Sequence, residues 1–182
     1  MKIPYRLVCS ARKTVAIQIT PAGEVILRCP NRYPIREAEA FLESKRHWIE
    51  VHLEKIAEAE KLPPFSAEQL GELTCQAKQD LPQRVKYFAP LVGTTYSRIT
   101  IRSQRSRWGS CSGKGNLNFN CLLMLSPEEV RDYVVIHELC HRIEGNHSPR
   151  FWAEVEKICP DYQRHRIWLK ENGGKLIARL PK

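Results

Sequence analysis

His137-Glu138-Leu139-Cys140-His141 places two imidazoles four residues apart with a carboxylate between them. On a helix, positions four apart lie ~40° apart around the axis, so both rings leave the same face and can share one metal ion. Neutral imidazole suits Zn²⁺, with bonds of ~2.0–2.1 Å. Glu138 falls ~100° round the helix from His137, at the edge of that face. Its carboxylate can reach a water on the ion without ligating it, the position of a general base. A catalytic zinc takes a third protein ligand and keeps a fourth position open. His147 follows six residues after His141, and the break at Gly145 lets the chain reverse and return that ring to the ion. Glu154 and Glu156 are the alternatives, as in zinc sites of two His and one Glu. The expectation is one Zn²⁺ per chain, held by His137, His141 and His147, with Glu138 catalytic.

Ser126-Pro127-Glu128-Glu129 predicts the start of the helix that carries these residues, with Ser as N-cap, Pro first and Glu three places past the cap. Its apolar stripe is Val130, Tyr133 and Val134, continued by His137, Cys140 and His141, and Gly145-Asn146 is a stop. Ser148-Pro149 opens another helix with Phe151, Trp152, Val155 and Ile158. Cys159-Pro160-Asp161 interrupts, and a last helix with Ile167, Trp168 and Leu169 is expected to end at Gly173-Gly174. Upstream, Thr14 to Thr20 and Val25 to Cys29 read as strands joined by a Pro21-Ala22-Gly23-Glu24 turn. One helix is expected from Ile35 to about Lys61 and a second from about Ala67 to Val92, bent at Pro82. Ser97–Ser103 and Leu117–Leu123 read as further strands. Leu62-Pro63-Pro64-Phe65-Ser66 is the linker candidate. This divides the chain into residues 1–62, a β-hairpin plus helix, and residues 67–182, which carry the histidines; the two are expected to pack as one compact unit.

The 182 residues suffice for a buried core, and no run of ~18 apolar residues is present to span a membrane. Arg6, Arg12 and Lys13 interrupt any signal-peptide core, so a cytoplasmic location is expected. The seven cysteines form no CxxC pair, which argues against a disulfide framework or an all-cysteine zinc site. The net charge is +9, and no acidic residue occurs between Asp80 and Glu128, where Arg84, Lys86, Arg98, Arg102, Arg105, Arg107 and Lys114 give a local +7. Such a field favours an anionic partner, or is a solvated face.

Together these segments resemble the YgjP-like family of bacterial zinc-dependent metallopeptidases, which is distantly similar to SprT-type and other compact zincins. The resemblance runs from about Tyr5 to Trp168. It is carried by Ala11-Arg12-Lys13-Thr14, Ser106-Arg107-Trp108-Gly109-Ser110-Cys111-Ser112, the His137–His141 motif, Asn146-His147-Ser148 and Phe151-Trp152. Arg142 departs from it, since an apolar residue is more usual there. The resemblance implies an α+β fold: a zincin-like core whose HExxH helix packs on a mostly antiparallel sheet, preceded by an N-terminal hairpin and helix. It also implies hydrolase chemistry, with the ligands at His137, His141 and His147 and the catalytic Glu at Glu138.

Zinc lowers the pKa of bound water toward ~7 and polarises a substrate oxygen. Glu138 would take the water's proton and return it to the leaving group. The developing oxyanion needs a further donor, for which Arg107, Tyr162 and His165 are candidates; Arg105 joins them as a substrate-binding cation. The Arg105–Ser112 loop reads either as a substrate wall or as a turn pinned by a buried Trp108. Cys111 as a nucleophile has only its arginine neighbours in favour. The expected substrate is a peptide or protein. The alternatives are a nucleotide phosphoanhydride or another anionic small molecule, and proteolysis associated with nucleic acid, for which charge speaks but no motif does. A purely structural zinc site would not need Glu138.

Overall fold

The computed structural model describes residues 3–20, 22–60 and 62–181. They divide into two units, residues 1–63 and 64–182. The folds are mixed α and β, and no helix among the described residues is long and apolar enough to cross a membrane.

The first unit is a three-stranded sheet with two helices. Strands β2 (Ala16–Ile19) and β3 (Val25–Pro30) form the expected antiparallel hairpin, with Ile17 opposite Leu27. At its turn Gly23 takes φ +77°, and its N–H donates to the Thr20 carbonyl at 2.9 Å; Pro21 lies outside the described residues. A further strand, β1 (Arg6–Ser10), lies parallel to β3 on its other side. The central strand β3 opens on three consecutive apolar residues, and Val25, Ile26 and Leu27 are all buried. Ala38 and Leu42 of α1 (Ile35–Ser44) and Ile49 of α2 (Arg46–Glu60) complete this core. The single helix expected from Ile35 to about Lys61 is thus two. It breaks at Lys45, whose N–H donates back to the Leu42 carbonyl as a cap does, with no Gly or Pro to announce it. Lys61 lies outside the described residues.

The second unit begins with α3 (Ala67–Val92). Ser66 and Gln69 form a reciprocal capping box at its start, and Gly93 at φ +74° ends it. The helix runs through Pro82 and Pro90 and buries Leu73, Ala77, Leu81, Val85 and Ala89, one residue per turn. Strands β4 (Arg98–Arg102), β5 (Gly109–Cys111) and β6 (Asn116–Asn120) follow, ordered β4-β6-β5. β4 runs parallel to β6 and β5 antiparallel to it. The sheet is therefore mixed where a mostly antiparallel one was expected. The Ser112–Gly115 turn makes β5 and β6 a hairpin, and β4 takes the remaining edge with the chain returning in the same direction. β6 ends at Asn120, because residues Cys121–Leu125 coil into a 3₁₀ turn.

Helices α4 (Glu128–Cys140), α5 (Pro149–Ile158) and α6 (Tyr162–Ala178) complete the unit. Ser126 does not cap α4 as its type suggested. Its hydroxyl donates to the Leu123 carbonyl at 2.7 Å and so closes the preceding turn. Arg84, held within α3 by Asp80 at 2.7 Å, ties α3 to α4 through Glu128 at 3.1 Å and Asp132. Gly173 and Gly174 do not stop α6, which continues to Ala178. Gly173 serves packing instead: a β-carbon there would lie 2.9 Å from Cζ2 of Trp108, so the indole rests directly on the helix backbone.

Candidate active site

The buried face of α4 is nearly continuous, from Val130 through Tyr133–Ile136 to Glu138, Leu139 and Cys140. That burial holds the helix rigidly up to its last turn, where His137 and His141 emerge. Past Cys140 the N–H groups of Arg142, Ile143 and Glu144 fold back on the Leu139 and Cys140 carbonyls. Arg142, the position that departs from the resemblance, fastens this turn: it donates to the Thr95 carbonyl at 3.1 Å and the Gly113 carbonyl at 2.8 Å. The chain then reverses. Asn146 accepts from the Ser148 N–H, and Ser148 caps α5 through the Phe151 N–H. These contacts bring His147 back over α4.

The ligand atoms of His137, His141 and His147 lie within 4.8 Å of one another, an arrangement that could hold a metal ion. Nε2 of His147 is 3.0 Å from Nε2 of His137. Two nitrogens bound tetrahedrally at ~2.0–2.1 Å would stand ~3.3 Å apart, so the pair is spaced as ligands of one small ion are. Two of the three rings have a partner at the outer nitrogen. Nδ1 of His141 lies 3.2 Å from the Glu144 carbonyl, and Nδ1 of His137 lies 3.4 Å from the Tyr133 hydroxyl. A carbonyl requires Nδ1 of His141 to carry the proton, which leaves the Nε2 lone pair facing inward. Phe151, fully buried, floors the site, with its centroid 4.5–4.8 Å from all three imidazoles. Burial, reinforced by the other two rings, lowers the His137 pKa to about 3. Burial lowers that of His141 as well. Neutral imidazoles are the form that metals require, and the donor set fits a divalent transition ion.

Glu138 is 5% exposed, and its carboxylate has no hydrogen-bond donor among the described residues. Burial raises its pKa to about 8, against a smaller downward pull from Arg107. It lines a cleft of about 460 Å³ together with the three histidines, Arg107 and residues 109–113 of β5 and its turn. A carboxylate left unpaired at such depth costs stability. This one faces the cleft where three imidazoles converge.

Of the four residues expected to bind substrate, Arg107 alone lines this cleft. Arg105, two residues earlier, donates to the Leu180 carbonyl at 2.9 Å and to that of Pro181, and so secures the chain after α6. Tyr162 is buried and stacks on Trp152 with centroids 5.2 Å apart. His165 stacks against Tyr133. Glu154 pairs with Lys157 at 2.7 Å, Glu156 is exposed, and neither belongs to the histidine cluster. Cys111 lines the cleft, but burial and the Glu138 charge push its thiol pKa up, which keeps the sulfur protonated.

Sequence reasoning missed Tyr133, Phe151 and Asn120 as parts of this site. Tyr133 stands four residues before His137, a spacing that places it on the same helix face. Asn120 is fully buried. Its amide donates to the Gln104 carbonyl at 2.7 Å and the Arg107 carbonyl at 3.2 Å, and its own N–H to the Trp108 carbonyl at 2.8 Å. The loop that presents Arg107 is thereby pinned to β6. Nothing in its residue type marked Asn120 out from Asn116 or Asn118.

The family described as YgjP-like, metallopeptidase domain, matches residues 13–74 and 70–172. Among solved structures, the metallopeptidase zymogen of Pyrococcus abyssi abylysin is 26% identical over 50% of this chain and 93% of that one, with a TM-score of 0.45. The metallopeptidase zymogen of Methanocaldococcus jannaschii jannalysin is 24% identical over 50% and 92%, with a TM-score of 0.43. No curated protein matches the chain.

Proposed function

The chain belongs to the YgjP-like metallopeptidase family and is a metallopeptidase-type hydrolase; from this premise we propose that it cleaves peptide bonds with one zinc ion held by His137, His141 and His147 and with Glu138 as general base. The observation that carries the reading is the buried, unpartnered Glu138 carboxylate in the same cleft as the three converging imidazoles. When bound, zinc supplies Lewis acidity to a water and to a carbonyl oxygen. The chain's own groups do the rest. Glu138 takes the proton of the attacking water and hands it to the leaving amine. Arg107 offers a cation to the developing oxyanion or to a charged part of the substrate. Phe151 and the outer partners Tyr133 and Glu144 hold the imidazoles in orientation, so the site is assembled before substrate arrives.

The phosphoanhydride alternative rests on the local +7, and two of its seven cations are engaged elsewhere. Arg84 is surrounded by Asp80, Glu128 and Asp132, and Arg105 is held by the Leu180 and Pro181 carbonyls. The cleft retains Arg107 alone, fewer cations than a polyphosphate calls for. A screen of the zinc-loaded protein against peptides and nucleoside triphosphates, with Glu138→Gln as control, tests the reading. Glu138-dependent turnover of peptides supports it, and turnover of nucleotides alone overturns it.

A further inference from the structure

We propose that Gly109 is a positioning residue for Glu138: β5 carries glycine there because any side chain would take the space in which the carboxylate is seated. The proposal rests on the general-base reading of Glu138. A β-carbon at position 109 would fall 2.6 Å from Oε1, 2.7 Å from Cγ and 2.8 Å from Cδ of Glu138. Non-bonded carbon atoms at optimal separation keep about 3.5–4.0 Å, so three contacts this short cannot be absorbed together. The backbone offers no other reason for glycine. The glycines with positive φ are Gly23, Gly93 and Gly115, whereas Gly109 sits in an ordinary strand opposite Phe119. Glycine inside a strand is unfavourable unless something approaches closely, and here the approaching group is the carboxylate.

Neither partner can retreat except into the cleft. Behind Gly109, Trp108 rests on Gly173, and its carbonyl is held at 2.8 Å by the N–H of the fully buried Asn120. On the other side Glu138 is 5% exposed, between Ile136 at 2% and Leu139 at 0%. The space left is the cleft itself. A methyl group at position 109 would therefore drive the carboxylate off β5 into the volume that substrate must occupy.

The test uses full-length variants, zinc-loaded for kinetics and chelator-stripped for unfolding. Gly109→Ala should lower kcat by about 10²-fold, the scale of a 1 Å misplacement, and raise KM, while zinc content stays near wild type. In the stripped protein it should also lower the urea midpoint, and most of that drop should disappear in a Glu138→Ala background, where the clash is gone. Should Gly109→Ala alone fail to fold while the double variant folds, the coupling is shown in its strongest form. Gly71→Ala, whose β-carbon meets nothing within 4 Å, is the control. An equal midpoint drop in both backgrounds, an unchanged kcat, or failure of both variants to fold overturns the proposal. The unfolding arm does not depend on catalysis. If Glu138→Gln stays active, the general-base reading fails whatever the coupling; if the coupling is absent, the seating fails whatever Glu138 does.

Discussion

Nε2 of His147 stands 3.0 Å from Nε2 of His137, although ten residues and a chain reversal separate them. At that distance the two rings can share an N–H···N hydrogen bond or the coordination of one cation, and the proposed ligand set requires the second. His147→Ala should then bind zinc far more weakly than wild type, read by metal analysis after dialysis. Glu154→Gln should retain the metal, since that carboxylate is paired with Lys157. Wild-type retention in His147→Ala would remove it from the ligand set.

Glu138→Gln keeps the side chain's shape and removes its basicity. It should hold zinc at wild-type stoichiometry and lose about 10²- to 10⁴-fold in kcat, the range of a general base. Zinc lost together with activity would make Glu138 a ligand.

The same carboxylate should leave a mark on the metal-free protein. Its folded-state pKa is about 8 against an ordinary 4.5. Between those values the folded state keeps a proton that the unfolded chain has released, so stability falls as pH rises through this window and levels off above it. His137 works the other way. Held at about 3 against 6.5, it makes stability rise as pH climbs from about 3 to 6.5. His137 is common to both proteins, so the difference between Glu138→Gln and wild type isolates the carboxylate. Urea unfolding in the presence of chelator should show that difference shifting in favour of Glu138→Gln from about pH 5 to about pH 8, by a few kcal/mol. A difference that does not change with pH would mean that the carboxylate finds a partner in solution.

Where a signal was local, the sequence was legible. The strand pattern from Thr14 to Thr20 and the helical pattern from about Ala67 to Val92 placed the hairpin of the first unit and the span of α3. The His137–His147 spacing marked a cluster that the fold brings together. Signals failed where a residue's role is set by what packs on it. Gly173 has the type of a helix stop, but α6 runs through it and the Trp108 ring packs on its backbone. Ser126 has the type of an N-cap, but its hydroxyl donates to the Leu123 carbonyl and Pro127 takes the cap position of α4. β1 was not marked out because its pairing depends on β3 being left open on one side. Arg105 and Arg107 are alike in type and neighbourhood, and only the tertiary positions of Leu180 and the cleft separate them.

That separation gives a paired prediction. Arg105 donates to the carbonyls after α6, next to Leu180, which is 5% exposed. Arg105→Ala should therefore cost stability, about 1–3 kcal/mol for lost bonds to a charged donor, and leave kcat/KM unchanged. Arg107 lines the cleft. Arg107→Ala should leave the unfolding midpoint and zinc content in place. It should lower kcat/KM about 10- to 150-fold if the guanidinium meets charge that develops in the transition state. Arg107→Lys should recover part of that, because Lys keeps the charge and lacks the planar fork. The pH profile adds a separate readout. The Arg107 charge holds the Glu138 pKa below the level burial alone would set. Removing it should raise that pKa and move the acid limb of kcat/KM to higher pH, so that Arg107→Ala is most impaired below neutrality. Parallel profiles for wild type and Arg107→Ala would show that the guanidinium does not reach Glu138 electrostatically, and equal stability losses in the two alanine variants would return Arg107 to the structural role of its neighbour.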